Sequence, residues 1–407
     1  MVGVLRKPTY ARLFAAQVVA LLGTGLLTVA LGLLAFDLAG GDAGAVMGTA
    51  LTIKMVAYVG VAPVVAALVD RLSKKAVLVG ADLVRFAVAL LLPFVEQVWQ
   101  IYVLVFVLQA ASATFTPAFQ SLIPAVLPDE RQYTRALSLS RLAYDLESLL
   151  SPAIAAAMLA VVSFHDLFVG TAIGFAGSIV FVLVAHLPAA SVTTSGLPFW
   201  RRLREGAAVF ARTRELWFLM CANVAVAAGT ALVMVNTVVY VRGVLDRDDS
   251  DLGLALACYG LGSLLVAVAT PRLVERLGVI RTMAAGIAVL AIFLTVAVAV
   301  TVAVHSSGTG WGWLLGTWFA LGAGTSLINT PSARLLAAAS TEKNRNLVYT
   351  AQFALSHACF LITYPVAGLV GALSLTLASS ALTAIAALAA IAAAVAGMSN
   401  GPALRPR

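Results

Sequence analysis

Twelve long apolar segments follow one another along the 407-residue sequence, and they restrict the fold more than any other feature. A helix needs about 20 apolar residues to cross a bilayer, and each segment approaches or exceeds that length. Charged residues make up only 11% of the chain, whereas soluble domains carry about 25%. The sequence therefore predicts an all-α membrane protein. The predicted spans are approximately Leu13–Phe36, Ala45–Leu68, Ala76–Phe94, Ile101–Ile123, Leu139–Val162, Leu167–Leu187, Leu216–Tyr240, Leu252–Thr270, Met283–Val304, Trp313–Leu336, Leu347–Leu373 and Leu377–Ala396.

Lysine and arginine are distributed unevenly between the connections. If the N-terminus is cytoplasmic, 22 of the 26 Lys and Arg residues fall on the cytoplasmic side. Only Arg242 and Arg247 fall on the outer side, and the remaining two, Lys54 and Arg85, lie within spans. Such an excess is typical of the cytoplasmic loops of membrane proteins. We therefore expect both termini to be cytoplasmic, in a bacterial-type plasma membrane. The net charge of +8 follows from this topology and does not indicate nucleic-acid binding.

Landmarks of the first half of the sequence recur in the second half. Asp70-Arg71 follows the second span, and Glu275-Arg276 follows the eighth, 205 positions later. Pro152 likewise recurs as Pro365. Parallel repeats of this kind are typical of transporters. The sequence predicts a six-helix half at 1–187, a second half at 215–407, and a cytoplasmic linker at 188–214 with a basic amphipathic helix.

The turn after the second span, with the spans around it, resembles the major facilitator superfamily. Family members carry an acid-arginine pair there, followed by two basic residues. The matching residues are Asp70, Arg71, Lys74 and Lys75, with Glu275 and Arg276 in the second copy. The resemblance implies two parallel six-helix halves that alternate access to a central site, a cytoplasmic gate at these turns, and function as a monomer.

Two further resemblances are narrower. Ser151–Ala156 in the fifth span resembles the Gly-Pro motif of the drug:proton antiporters, with the proline kept and the glycines replaced by small residues. Leu34–Ala45 and Ala351–Pro365 resemble the nickel-resistance exporter branch. These stretches imply export coupled to protons, with nickel or cobalt as the substrate. The alternative is a multidrug or small-amphiphile exporter.

Charged residues within the spans are costly and are therefore candidates for function. Lys54 lies near the middle of the second span, where it serves transport or forms a structural ion pair. Asp145 and Glu147 lie in the fifth span, and Asp145 is one turn from Arg141, its expected partner. Glu147 points elsewhere, either as a proton carrier or as the partner of a basic group such as Lys54. We predict that Lys54, Asp145 and Glu147 take part in transport or proton coupling.

Asp82 and Arg85 share one face of the third span, because they are three positions apart. Their place near the cytoplasmic end favours a local structural pair over a transport role.

Polar side chains in other spans are candidates for a substrate cavity or a metal site. The resemblance places spans one, four, seven and ten around the cavity, which makes Gln109, Asn223 and Asn236 cavity candidates. The eleventh span adds Gln352, His357 and Cys359. Imidazole and thiolate are ligands for nickel. His357 and Cys359 are about 200° apart on a helix, so a metal site would combine one of them with ligands from another span.

Motifs of enzymes and of ATP-driven pumps do not occur in the sequence. It has no Gly-x-x-x-x-Gly-Lys-Ser/Thr and no His-Glu-x-x-His. We therefore expect a transporter rather than an enzyme, with no cofactor. Its expected partners are the lipid bilayer, a small-molecule or metal-ion substrate and protons.

Overall fold

The computed structural model describes residues 2–61, 72–127, 129–187, 199–307, 310–341 and 344–398. These residues are helical almost throughout and contain no strand. The described parts of the twelve predicted spans lie on helices almost throughout, and the end of the predicted second span, residues 62–68, lies outside the described residues. The predicted all-α class is therefore confirmed.

Twelve of the helices are numbered here in chain order, and the helix between the sixth and seventh is called the linker helix. The first six are α1 Pro8–Ala39, α2 Ala43–Val56, α3 Lys74–Leu91, α4 Val98–Val126, α5 Glu130–Leu159 and α6 Phe164–Val184. The linker helix is Phe199–Arg212. The last six are α7 Arg214–Val238, α8 Asp249–Leu277, α9 Val279–Ser307, α10 Trp311–Ala338, α11 Arg345–Pro365 and α12 Leu375–Met398.

Nine stretches of the described residues are long and apolar enough to cross a membrane. The first, Pro8–Gly60, contains both α1 and α2. The helices α5 and α10 are not among the nine, and the apolar stretch of α5 is the shorter Leu150–Leu159. The described residues thus form a multi-pass membrane protein.

Several helices begin at side chains that bind their exposed backbone N–H groups. The Ser73 hydroxyl accepts a hydrogen bond from the Ala76 N–H at the start of α3, at 3.2 Å. The Asp129 carboxylate accepts one from the Gln132 N–H at the start of α5, at 2.8 Å. Such caps satisfy donors that have no partner inside the helix.

The chain divides into two compact units. The first unit is Met1–Thr194 with Thr237–Gly260, and the second is Ser195–Asn236 with Leu261–Arg407. The end of α7 and the start of α8 therefore pack with the first six helices.

In the first unit, α1 packs most extensively on α6. A Cβ atom added to Gly174 would lie 2.7 Å from the Val19 carbonyl oxygen and 3.0 Å from Gly23 Cα. The Thr171 hydroxyl donates a hydrogen bond to the Gly23 carbonyl oxygen at 2.9 Å. Small residues therefore bring the two backbones into direct contact, as is common in membrane helix pairs.

The segment 237–260 is held in the first unit by polar and by close contacts. Arg242 forms an ion pair with Asp249 at 3.0 Å, and its guanidinium lies 5.7 Å from the centre of the Phe36 ring. A Cβ atom on Gly253 would lie 2.8 Å from Ala156 Cα. These contacts fasten the α7–α8 connection to α1 and α5.

In the second unit, α9 packs against both α10 and α12. The linker helix packs against α11. A Cβ atom on Gly206 would overlap the Leu347 carbonyl oxygen of α11 and lie 2.7 Å from Ala351 Cβ. Glycine at this position therefore allows the linker helix to touch the α11 backbone.

Candidate functional site

The structure brings Lys54 of α2 and Glu147 of α5 together in the first unit. Their side chains are half-buried and interact electrostatically. The two residues are 93 positions apart in the sequence, on α2 and α5. The structure therefore contains the Lys54–Glu147 contact that one of the two alternatives for Glu147 describes.

The Glu147 carboxylate lies against a glycine of α1. Its Oε1 atom would be 2.8 Å from a Cβ atom placed on Gly25, and the Ser151 side chain would be closer still. Ser151 is completely buried, and its hydroxyl has no hydrogen-bond partner among the described residues. Ser151 was not predicted as a polar group of this site. Its position one helical turn after Glu147 was the available signal.

An apolar cavity of about 300 Å³ lies between α1 and α5, and Glu147 forms part of its wall. The other walls are apolar, and they include Phe14, Val18, Leu21, Leu139, Leu146 and Leu150. Glu147 is the charged group among the described lining residues. The arrangement suits a lipophilic molecule that carries one positive charge or one hydrogen-bond donor.

The third predicted coupling residue, Asp145, lies on α5, but its side chain is outside the described residues. The same holds for Arg141, its predicted partner. The pairing of these two residues therefore stays a prediction.

Asp82 and Arg85 form the ion pair that their spacing predicts, and both are buried. Two features of this pair were not predicted. The Ser178 hydroxyl of α6 donates a hydrogen bond to Asp82 Oδ2 at 2.7 Å. The Arg85 guanidinium lies between the rings of Phe115 and Phe175, 4.3 and 4.7 Å from their centres. The pair thus joins α3 to α4 and α6.

The predicted gate turn is described only in part, because Asp70 and Arg71 lie outside the described residues. The Lys75 amine donates hydrogen bonds to the Leu183 and Ala185 carbonyl oxygens at 2.6 and 3.1 Å. Arg12 donates to the intervening Val184 carbonyl oxygen at 3.0 Å. Cations at the C-terminal end of a helix bind carbonyls that have no partner and complement the helix dipole. Lys75 therefore caps α6.

The remaining gate residues of the prediction are Lys74, Glu275 and Arg276. Lys74 begins α3 and has a partner of its own. Glu275 and Arg276 are exposed in the last turn of α8. Gly278 follows with a φ of 83°, a backbone conformation that favours glycine and ends the helix there.

The four amides predicted for a cavity do not form one cluster. Asn223 of α7 and Gln352 of α11 exchange hydrogen bonds at 3.2 and 3.4 Å in the second unit. Asn236, at the other end of α7, donates to the Ala367 carbonyl oxygen at 3.0 Å. Gln109 is buried on α4 in the first unit. The Asn223–Gln352 pair joins α7 to α11.

The two predicted metal ligands of α11 make contacts within their own helix. His357 Nδ1 lies 2.7 Å from the Phe353 carbonyl oxygen, to which it donates. The buried Cys359 thiol lies 3.3 Å from the Leu355 carbonyl oxygen, and Cys221 of α7 is an electrostatic neighbour. Within the described ranges, no group of three His, Cys, Asp or Glu side chains could hold a metal ion.

Comparison with known families gives matches in both halves of the chain. The sequence model of the Major Facilitator Superfamily matches residues 13–247 and again 219–405. The two matches together cover most of the chain and meet at the α7–α8 region.

Two bacterial proteins named "Macrolide efflux protein A" are similar to part of the chain. The one from Enterococcus faecalis is 27% identical over 186 residues, which are 43% of this chain and 57% of that protein. The one from Streptococcus pyogenes is 25% identical over 221 residues, 53% of this chain and 54% of that protein. The matched part of the chain spans just over half the length of these relatives.

Solved transporter structures have the same fold. The nucleoside transporter NupG superposes with a TM-score of 0.71 at 13% identity, over 96% of this chain and 100% of that one. A POT family transporter in complex with a thioalcohol-conjugated peptide superposes with a TM-score of 0.71 at 11% identity, over 95% of each chain. At such low identity these likenesses concern the fold, and they confirm the predicted fold class.

Proposed function

Because the chain belongs to the Major Facilitator Superfamily, we propose that it exports a lipophilic, amine-bearing compound of the macrolide type in exchange for protons. The observation that carries the proposal is the apolar cavity between α1 and α5, whose charged wall residue is Glu147. The names of the two relatives support export and this compound class. Many macrolides are large lipophilic rings with a basic amino sugar, which this cavity suits chemically.

The size of the cavity indicates which part of such a compound enters it. Its volume of about 300 Å³ is at the lower end of the range for ligand pockets. A whole macrolide is larger, so the cavity accepts the amine-bearing part of the molecule. The Glu147 carboxylate pairs with the ammonium group there, and the aliphatic and aromatic walls take the adjoining apolar surface.

The Lys54–Glu147 pair provides a means of coupling to protons. Glu147 has three alternative partners: the Lys54 ammonium, a proton and the ammonium group of the substrate. Since one carboxylate carries one counter-charge at a time, arrival of the substrate displaces a proton, and a proton from outside displaces the substrate. Rocking of two halves exposes the site to each side of the membrane in turn.

The proposal includes the topology of the chain in the membrane. The halves are residues 1–187 and 215–407, joined by the linker 188–214, with both termini in the cytoplasm and the protein working as a monomer. The turns with Asp70, Arg71, Lys74 and Lys75, and with Glu275 and Arg276, form the cytoplasmic gate. Asp145 takes part in proton coupling, and Gln109, Asn223, Asn236 and Gln352 contribute polar groups for the substrate.

A nickel or cobalt substrate has weaker support. The His357 imidazole donates to a carbonyl oxygen of its own helix, and the Cys359 thiol is directed to another. The described residues supply no three-ligand group, whereas metal export needs ligands that replace the hydration shell of the ion. We therefore propose the lipophilic amine in preference to the metal.

The test is a tolerance assay in a drug-sensitive bacterial host that expresses the protein. Expression should raise tolerance to a macrolide with an amino sugar and should leave nickel and cobalt tolerance unchanged. Glu147→Gln should abolish the gain, whereas the matched change Asp37→Asn, at an exposed carboxylate of α1, should preserve it. If the protein raises nickel or cobalt tolerance, and His357→Ala removes that gain, the metal prediction replaces this one.

A further inference from the structure

The linker helix has two faces of opposite character. Gly206 and Phe210 are buried on one face, where Gly206 touches the α11 backbone. Arg201, Arg204 and Arg212 are exposed. At about 100° per residue, the three arginines lie within an arc of about 80° on the side opposite to Gly206 and Phe210. The helix is therefore docked by its small and apolar face, with a basic stripe directed outward.

The charge of this stripe is only partly neutralised by the protein. Arg201 Nε lies 2.9 Å from Glu205 Oε1, in an exposed ion pair. Arg204 and Arg212 have no ion pair with any described carboxylate. Exposed pairs of the Arg201–Glu205 kind contribute little to stability. The stripe therefore presents two arginines that are available to a ligand with negative charge.

The position of the stripe indicates the kind of ligand. The linker helix ends at Arg212, and α7 begins at Arg214 and continues directly into an apolar span. The stripe thus lies within a few residues of the level at which the chain enters the bilayer. Phospholipid phosphates are concentrated at that level, and the guanidinium group binds phosphate oxygens with two parallel N–H donors.

We propose that the basic stripe of the linker helix binds the headgroups of anionic phospholipids and thereby stabilises the linker helix on α11. The contact through Gly206 transmits the effect, because the linker helix lies there directly against Leu347 and Ala351 of α11. The next residue of α11, Gln352, is bonded to Asn223. Lipid bound at the stripe thus also stabilises the turn of α11 that carries this amide pair.

The first experiment measures lipid-dependent stability of the full-length protein in a neutral detergent. Thermal unfolding is followed while phosphatidylglycerol or phosphatidylcholine is added at increasing mole fraction. Phosphatidylglycerol should raise the unfolding temperature of the wild type, and phosphatidylcholine should not. Each arginine near an anionic surface strengthens binding about fivefold, so Arg204→Gln/Arg212→Gln should raise the half-effective mole fraction about 30-fold.

A matched control removes the same charge elsewhere. Arg272 and Arg281 are exposed residues of α8 and α9, and Arg272→Gln/Arg281→Gln should respond to phosphatidylglycerol as the wild type does. If both double variants lose the stabilisation by phosphatidylglycerol equally, the stabilisation depends on the total positive charge of the protein and not on the basic stripe, and the proposal fails. It also fails if the wild type does not respond to phosphatidylglycerol or if Arg204→Gln/Arg212→Gln responds normally.

Two further arms test the lipid and the transmission. Inorganic phosphate at the same concentration should not raise the unfolding temperature, and an equal rise would assign the stripe to a free anion. Gly206→Ala keeps every arginine but forces the linker helix away from α11, so it should weaken the phosphatidylglycerol response. A full response in Gly206→Ala would overturn the role of that contact. Transport is not measured in any arm, so these results are independent of the exported compound.

Discussion

Removal of one partner of the Lys54–Glu147 pair should destabilise the protein, whereas removal of both should not. Lys54→Met leaves Glu147 without its counter-charge in the membrane, and Glu147→Leu does the same to Lys54. An unpaired charge there costs about 2.5–3.5 kcal/mol on insertion scales, and partial exposure of both side chains reduces the expected cost to about 2 kcal/mol. In the double variant neither charge remains, and an apolar pair of similar volume is often neutral or stabilising.

The expected result is a coupling free energy of about 4 kcal/mol between the two positions, above the range of about 0.5–3 kcal/mol that is usual for residues in contact, because each single variant leaves an unpaired charge. A unit of about 200 residues loses about 2–4 °C per kcal/mol. Each single variant should therefore unfold about 4–8 °C below the wild type, and the double variant should unfold close to it. Transport should be lost in all three variants, because the carboxylate or its alternative partner is missing.

The measurement is thermal unfolding in detergent, with transport of the macrolide into inverted vesicles as the second readout. Asp37→Asn, an exposed carboxylate of α1, is the control and should leave both readouts unchanged. Additive losses in the double variant would show that the two side chains do not interact. A stable double variant that still transports would show that the pair has a structural role only.

Three other substitutions probe features outside this pair. Lys75→Met removes the hydrogen bonds from the Lys75 amine to the Leu183 and Ala185 carbonyl oxygens, and it should lower the free energy of unfolding by about 1–2 kcal/mol. Hydrogen exchange should become faster in the last turn of α6 but not in its middle. Arg85→Leu leaves the buried Asp82 without its ion-pair partner and should cost about 3–5 kcal/mol, measured by denaturant unfolding; a loss below about 1 kcal/mol would contradict the described contacts. Asp70→Asn should slow transport turnover more than it weakens substrate binding. Turnover and substrate affinity are measured separately, and a large loss of affinity with unchanged turnover would argue against a gate at this turn.

Local spacing in the sequence was sufficient for features that lie within one helix. The lengths of the apolar segments predicted the helices, and the three-residue spacing predicted the Asp82–Arg85 ion pair. The partners of that pair were not predictable in this way. Ser178 and Phe175 lie on α6, more than 85 positions from Arg85, and only the packing of α3 against α6 brings them there. A pattern in one sequence does not contain this information.

In the candidate site, too, features within one helix were predictable and contacts between helices were not. Lys54 and Glu147 were identified as candidates because each is a charged residue within a predicted span, and their pairing was one of two alternatives. Their proximity in space depends on how α2 and α5 are arranged in the first unit. The motif predicted a gate role for Lys75, which stays a prediction, but it did not show that the Lys75 amine caps α6, because this contact depends on the end of α6 lying beside the start of α3. The cavity that Glu147 lines could not be foreseen, since every other residue of its wall reads as an ordinary apolar position of a span.

The backbone contact between α1 and α6 bears on how the gene for such a protein can be divided. Because the first and last of the six N-terminal helices touch through Gly23 and Gly174, these two helices are held together by a contact that lies entirely within residues 1–187. Residues 237–260 pack with the six N-terminal helices although they lie far beyond the linker. Two polypeptides cut between 187 and 199 and expressed together would therefore retain a non-covalent connection.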